Sequence, residues 1–162
     1  MTRTLRALFV IVVCVALGYA LRSYLDAENE PAQPAPRAPN TALLHVTSLK
    51  DGDSWDASDG REYRLGLVNT PEPSEPCFRE ARQFTGRFLA DGFRPNAYAI
   101  DVHGRHVAEV FDSVGRSLNV ALAKSGLADG KYLNNFRHEN PELAERVDEA
   151  LASAAKPACR VR

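Results

Sequence analysis

The length, composition and charge of the chain exclude several classes of protein before any motif is considered. With 162 residues, 44% of them hydrophobic and 25% charged, the chain has room for one ordinary domain. Its formal net charge of -1 is unlike that of proteins that coat nucleic acid nonspecifically, which are strongly basic. Any contact with a polyanion should therefore be local, through a cluster of basic residues.

The first 25 residues predict an export signal or a signal-anchor. A basic start precedes residues 7–21, which carry no charge, and Arg22 closes this run. The run is short for a spanning helix of about 20 residues, and Gly18–Ala20 offers a small-x-small cleavage pattern. Basic residues at both edges disfavour a buried core helix. Cleavage and retention both stay open, so we expect a secreted or periplasmic protein, or one anchored to the membrane by residues 5–25.

Residues 26–41 predict a linker. The stretch EPAQPAPRAP, residues 30–39, contains four prolines and no large apolar side chain. Such a segment cannot bury a core and behaves as a semi-rigid spacer. We therefore expect residues 42–162 to form the folded domain, and we expect that domain to be a monomer.

Turn residues and hydrophobic spacing divide this domain into strands and helices. The predicted strands cover residues 43–49, 54–56, 62–68, 96–101 and 106–112. The predicted helices cover residues 76–91, 117–125 and 140–155, the last two with Ser117 and Asn140 as N-caps. This pattern favours an α+β fold, mainly β with helices, in the form of an OB-type five-stranded barrel with three helices. Such barrels often bind nucleic acids or sugars, but a fold alone does not establish a function.

Cys77 and Cys159 are the two cysteines of the expected domain. In an exported chain such a pair predicts a disulfide rather than two free thiols. The bond would close a loop of about 80 residues and join the C-terminal tail to the middle of the domain. A metal-thiolate site is disfavoured, because neither cysteine has a Cys or His partner at zinc-ligand spacing.

The stretch YRLGLVNTPE, residues 63–72, predicts a strand that ends before Pro71. Strand alternation puts alternate residues on opposite faces. One face should carry Tyr63, Leu65 and Leu67, and the other should carry Arg64, Gly66 and Val68. Taken alone, the stretch is also consistent with an edge strand that has a surface arginine and a loop glutamate.

Three stretches together carry the groups that phosphodiester hydrolysis requires: Asp51-Gly52-Asp53, YRLGLVNTPE and Asp101-Val102-His103-Gly104-Arg105. Each stretch alone is also ordinary turn chemistry. Asp53 and Asn69 could supply oxygen ligands for a hard cation. Glu72 could position or deprotonate a water molecule. The permanently charged guanidinium groups of Arg64 and Arg105 are suited to the charge that develops on the phosphate.

The order of these motifs resembles the staphylococcal nuclease (thermonuclease) family. The resemblance rests on DGDS, YRLGLVNTPE, Glu80-Ala81, DVHGR, SLNVALAKSGLA and Tyr132, and it covers about residues 43–155. It implies an OB-type barrel with three helices. It also implies a calcium-dependent nuclease that cuts DNA and RNA and leaves 3′-phosphates.

Carried over position by position, the resemblance implies a role for each site residue. Asp53 is similar to the carboxylate calcium ligand, and Thr70 to the residue that lends its backbone carbonyl. Asp51 is similar to an acidic residue beside the metal. Arg64 and Arg105 are similar to two phosphate-binding catalytic arginines. The general base would be Glu72.

The chain departs from the best-known members of the family at three places. Asn69 stands where they carry a second metal-binding aspartate, so we expect weaker or altered metal binding, and another divalent ion could take the place of calcium. His103 replaces a tyrosine that grips the substrate phosphate, and it could do so as a cation at mildly acidic pH. Only Pro73–Pro76 separate Glu72 from Cys77, so a long mobile loop is missing. Tyr132 is similar to a tyrosine beside the nucleotide pocket, although a packed tyrosine is an equally good interpretation.

Two other classes of function remain open. The first is a noncatalytic nuclease-like OB module that binds nucleic acid or a protein partner. The second is a generic calcium-binding module, which the two arginines disfavour, because cations near a calcium site weaken it. Degenerate relatives usually lose the arginines or the glutamate, and this chain keeps Arg64, Glu72 and Arg105.

Overall fold

In the computed structural model, which describes residues 42–160, five strands form a mixed sheet. The strands are β1 (Val46–Leu49), β2 (Ser54–Ala57), β3 (Glu62–Leu65), β4 (Phe93–Ile100) and β5 (His106–Asp112). The predicted signal or anchor, residues 1–25, and the predicted linker, residues 26–41, both lie outside the described residues. No helix within residues 42–160 is long and apolar enough to cross a membrane.

The strand order of the sheet is β1-β2-β3-β5-β4. All neighbouring pairs are antiparallel except β3 and β5, which are parallel. The sheet is open, but Leu44, just before β1, pairs with Phe93 at the start of β4. Two backbone hydrogen bonds of 2.9 Å and 2.8 Å between these residues join the two edges. The sheet is therefore consistent with an OB-like barrel, and the predicted α+β fold class is confirmed.

Three aromatic side chains from neighbouring parts of the sheet pack together in the core. Trp55, Tyr63 and Phe93 are almost fully buried. The ring of Phe93 meets those of Trp55 and Tyr63 edge to face, with centroids 5.6 Å and 5.7 Å apart. Edge-to-face contacts of this kind add to the gain from burial alone. The core therefore holds β2, β3 and β4 together beneath the site.

Three helices follow within the described residues: α1 (Phe78–Phe88), α2 (Leu118–Ser125) and α3 (Pro141–Ala152), with a short 3-10 turn at Ala158–Arg160. Asn140 caps α3 as predicted, because its side chain accepts a hydrogen bond from the Leu143 N–H. Ser117 occupies the N-cap position of α2 as predicted, but its side chain makes no capping hydrogen bond. Its hydroxyl is buried and makes no hydrogen bond within the described chain.

The third strand is shorter than predicted. It ends at Leu65 rather than Val68, and Leu67 takes a left-handed conformation with φ 67°. Leu67 and Val68 are both fully buried, so the predicted alternation of faces fails after Gly66. The change of direction lets the next residue, Asn69, pair through its backbone with Asp129, which follows α2.

Cys77 and Cys159 form a disulfide, as predicted. Cys77 directly precedes α1 and has a left-handed backbone with φ 73°. Cys159 lies in the C-terminal 3-10 turn. The bond therefore ties the C-terminal segment to the end of the loop that carries Glu72.

Candidate active site

A pocket of about 420 Å³ opens where the end of β3, the β4–β5 turn and the segment after α2 meet. All three residues predicted to be catalytic line it, although they come from distant parts of the sequence: Arg64, Glu72 and Arg105. Other predicted residues that line it are Asp51, Asn69, His103 and Tyr132. The two remaining predicted residues, Asp53 and Thr70, are buried and connect to this lining through Arg64.

Asp53 is the centre of the predicted metal site. Its side chain lies in the turn between β1 and β2 and is almost fully buried. One carboxylate oxygen, Oδ2, accepts a 2.6 Å hydrogen bond from the backbone N–H of Thr70. The other, Oδ1, forms a salt bridge with Nη1 of Arg64, whose Nη2 donates to Oδ1 of Asn69 at 3.4 Å. One guanidinium therefore bridges the side-chain oxygens of two predicted ligands.

Burial raises the pKa of Asp53 to about 6. The Arg64 guanidinium opposes this shift, and the nearby Asp51 carboxylate adds to it. The raised pKa means that the surroundings do not fully compensate the negative charge of Asp53. A divalent cation beside Asp53 would supply the missing compensation.

Asp51 fixes the turn that presents Asp53. Its Oδ1 accepts hydrogen bonds from the backbone N–H groups of Asp53 and Ser54, at 2.9 Å and 2.7 Å. The Ser54 hydroxyl donates to the same oxygen at 2.8 Å. Asp51 therefore orients the backbone of Asp53 and brings a second negative charge to the pocket wall.

The turn between β4 and β5 holds Arg105. Nε of Arg105 donates a hydrogen bond to Oδ2 of Asp101 at 2.8 Å, and Nη2 forms a salt bridge with the same oxygen at 2.8 Å. The other oxygen of Asp101 accepts from the backbone N–H groups of His103 and Arg105, at 2.9 Å and 3.0 Å. Burial opposes ionisation of Asp101, but these hydrogen bonds outweigh it and lower its pKa. A charged Asp101 thus fixes both the turn and the guanidinium.

Three predicted residues that line the pocket remain: Glu72 and His103, which are exposed, and Tyr132. Glu72 lies in the loop before α1, where its backbone N–H donates to Oε2 of Glu75 at 2.8 Å. His103 is exposed at the tip of the β4–β5 turn. The ring of Tyr132 is half-buried, and its centroid lies 5.3 Å from the guanidinium carbon of Arg64. This cation–π contact favours the active-site interpretation of Tyr132.

The predicted metal site offers oxygen donors, which calcium prefers, but only one of them belongs to a charged side chain. Within residues 42–160 no group of three or more Asp, Glu, His or Cys side chains could hold a metal ion. The predicted ligands are instead one carboxylate, one amide oxygen and one backbone carbonyl: Asp53, Asn69 and Thr70. Oγ1 of Thr70 is buried without a hydrogen-bond partner in the described chain, and a Cβ on Gly52 would lie 2.9 Å from it. These residues fit a hard cation in donor type, with a single formal negative charge.

The sequence did not single out several residues that line the pocket. Ile100 and Val102 flank Asp101 on the β4–β5 turn, and Asn135 and Phe136 follow Tyr132. Asp101 and Val102 belong to the DVHGR motif, but the motif alone does not predict the salt bridge between Asp101 and Arg105. The signal available for Ile100 and Val102 was the presence of two branched apolar residues around a turn, where polar residues are usual.

The pocket of this OB-like fold combines two guanidinium groups, the carboxylate of Glu72 and oxygen donors for a cation, which are groups suited to bind a phosphate. The family model described as staphylococcal nuclease homologue matches residues 62–156. The chain belongs to the staphylococcal nuclease family. A search of curated proteins found no match. Asp51 and Asp53 precede the matched residues. Asp53 contacts Thr70 and Arg64, and Asp51 lines the pocket itself.

Proposed function

We propose that the domain is a metal-dependent nuclease that hydrolyses phosphodiester bonds of DNA, RNA or both. The observation that carries the proposal is the convergence of Arg64, Glu72 and Arg105 on one pocket from three separate segments. Family membership supports a nuclease-like domain with a nucleic acid substrate. We further propose that the protein acts outside the cytoplasm, either released or anchored by its N-terminal segment.

Calcium is the proposed cofactor. Asp53, Asn69 and the backbone carbonyl of Thr70 would hold it, and it would draw electron density from a phosphate oxygen. The shift in the pKa of Asp53 supports this assignment, since the carboxylate lies in an environment that leaves its charge under-compensated. Asn69 in place of an aspartate leaves one negative charge fewer, so moderate calcium affinity follows.

Arg64 and Arg105 would bind the phosphate. Each guanidinium is already oriented by a carboxylate, Arg64 by Asp53 and Arg105 by Asp101. Since Arg105 uses only Nε and Nη2 for Asp101, its Nη1 group remains for a phosphate oxygen. Permanent charge and planar geometry suit both residues to the transition state, in which charge on the phosphate oxygens increases.

Glu72 would orient the attacking water and accept its proton. Its carboxylate lines the pocket and takes part in none of the salt bridges of residues 42–160. The water oxygen forms a bond to phosphorus as the bond to the 5′ oxygen breaks, and the leaving oxygen takes up a proton. The strand that ends at the attacked phosphorus then carries a 3′-phosphate. A carboxylate that holds the water in line contributes both proximity and base catalysis.

A noncatalytic nucleic-acid-binding module is the second candidate. The observation that favours it is the pairing of both guanidiniums with carboxylates, which lowers their free charge in the pocket. Such a module would bind the phosphate backbone and leave it intact.

Degradation of a single-stranded DNA by the purified full chain separates the two candidates. Cleavage should require calcium, stop on addition of a chelator, and fall by about 10²–10⁴-fold in Glu72→Gln. The matched control is Glu145→Gln, which changes an exposed glutamate of α3 and should leave the rate unchanged. The same assay is run with a single-stranded RNA. Binding of DNA and RNA without cleavage of either at any calcium concentration would reject the nuclease and support the binding module.

A further inference from the structure

The β4–β5 turn exposes two apolar side chains beside the proposed active site. Among residues 42–160, the exposed large hydrophobic residues are Ile100, Val102 and Val114, which are 66%, 95% and 74% exposed. Ile100 and Val102 line the pocket, whereas Val114 lies on the turn after β5 and does not. Because isolated surface apolar residues are common, their shared position at the pocket is the informative observation.

The turn holds these side chains in place. The Asp101 N–H donates to the carbonyl of Arg105 at 3.1 Å, and the Gly104 N–H donates to the carbonyl of Asp101 at 3.0 Å. The carboxylate of Asp101 accepts two further backbone N–H groups and the Arg105 guanidinium. Ile100 and Val102 flank this residue on both sides. They are therefore fixed relative to Arg105, which is one of the two proposed phosphate ligands.

The pocket has an apolar part next to its ionic part. Tyr132 and Phe136 line it together with Ile100 and Val102, and the Tyr132 ring contacts the Arg64 guanidinium. A volume of about 420 Å³ exceeds what one phosphate group needs and lies in the range of sites for small organic ligands. The part of a nucleotide that matches an apolar surface beside a phosphate is the flat face of its base.

We propose that Ile100 and Val102 bind the face of an unpaired base next to the phosphate held by Arg64 and Arg105. This inference rests on the proposed function. In a duplex the base faces are stacked and only the base edges are accessible, where hydrogen-bonding groups are required. Aliphatic side chains offer none, so the two residues favour unpaired nucleotides. Every base has such a face, so the contact adds affinity without reading sequence.

The test compares Ile100→Ser/Val102→Ser with Val114→Ser in the full chain. Val114→Ser removes an apolar side chain of similar exposure from a turn outside the pocket. Each protein is assayed with two ligands in the presence of calcium. One is a short single-stranded oligonucleotide, and the other is the same oligonucleotide with abasic sites on both sides of one phosphate. The readouts are kcat/KM and, in the Glu72→Gln background, the Kd for both ligands.

We expect the double variant to lose about tenfold in kcat/KM and in affinity for the oligonucleotide with bases. On the abasic oligonucleotide the double variant should have the same kcat/KM and Kd as the unsubstituted protein. Val114→Ser should match the unsubstituted protein in both quantities on both oligonucleotides. Equal losses on the two ligands would overturn the proposal, because the turn would then act only through Arg105. No loss on either ligand would also overturn it and would leave a membrane or a second copy as the partner of this surface. If no protein cleaves either ligand, the Kd values still decide the inference although the proposed reaction has failed.

Discussion

Gly66→Ala should destabilise the domain through a single contact. Gly66 directly follows β3, and an added Cβ would overlap Oη of Tyr98 and lie 2.7 Å from its Cζ and 3.0 Å from Cγ1 of Val107. Gly66 is not among the residues with positive φ, so the effect is steric rather than conformational. Tyr98 cannot move freely, because its ring packs edge to face on Phe136, with centroids 6.3 Å apart.

The expected magnitude follows from two opposing effects. Overpacking of a filled site costs about 1–3 kcal/mol. Replacing glycine with alanine also stabilises the fold by about 0.4–1 kcal/mol, because alanine lowers the conformational entropy of the unfolded chain. The free energy of unfolding should therefore fall by about 1–2 kcal/mol in Gly66→Ala.

Tyr98→Phe supplies the test of this reasoning. Oη of Tyr98 is buried without a hydrogen-bond partner in the described chain, and burial raises the pKa of this phenol, with Glu109 adding to the shift. Removing the hydroxyl should stabilise the protein by about 1 kcal/mol, because an unsatisfied polar group is lost. It should also reduce the loss of unfolding free energy in Gly66→Ala, although Cζ of Tyr98 and Cγ1 of Val107 still crowd the new Cβ. Urea unfolding of both single variants and the double variant measures this coupling; an equal cost of Gly66→Ala in both backgrounds would refute the steric account.

Three further predictions concern the disulfide, the metal and pH. Cys77→Ser/Cys159→Ser should lose about 4 kcal/mol of unfolding free energy, since the bond joins residues 82 positions apart; equal urea midpoints with and without the bond would contradict this. Asn69→Asp should tighten calcium binding by about tenfold, measured by calorimetry without substrate, and unchanged or weaker binding would count against the ligand role. Burial opposes ionisation of Asp112, but hydrogen bonds from Arg116 and the backbone outweigh it, so its folded pKa is lowered. The stability from this pair is present above the unfolded pKa of about 4 and is lost as pH falls through the folded pKa. In Asp112→Asn the free energy of unfolding should depend less steeply on pH in this range. An unchanged slope would show that Asp112 is not the source of this pH dependence.

Local sequence signals were sufficient for much of the fold. Asn140 and Pro141 begin α3 where cap chemistry predicts, and Gly126 ends α2 with a positive φ. These helix ends depend on short stretches of chain, in which neighbouring residues determine the backbone. The gathering of Arg64, Glu72 and Arg105 joins distant segments, and it was expected from the family resemblance rather than from local signals.

Contacts between distant residues account for what the sequence did not reveal. Strand alternation continues past Leu65 in the sequence, but β3 ends there, and Tyr98 of β4 occupies the space that a side chain at position 66 would need. The Ser117 hydroxyl was expected to cap α2, yet no capping hydrogen bond forms. The role of Ile100 depends on how the β4–β5 hairpin is aligned, and strand pattern alone does not specify that register.

The bridge that Arg64 makes between Asp53 and Asn69 has a consequence for how the protein matures. A buried carboxylate without a partner would destabilise the metal-free fold. Arg64 gives Asp53 an internal counter-ion from its own chain, so residues 42–160 can fold before they meet calcium. Calcium would then arrive as a replacement for this counter-ion, and the released guanidinium would become available to the substrate. Under the proposed function, metal binding and access of Arg64 to the substrate would then be coupled in one exchange of partners.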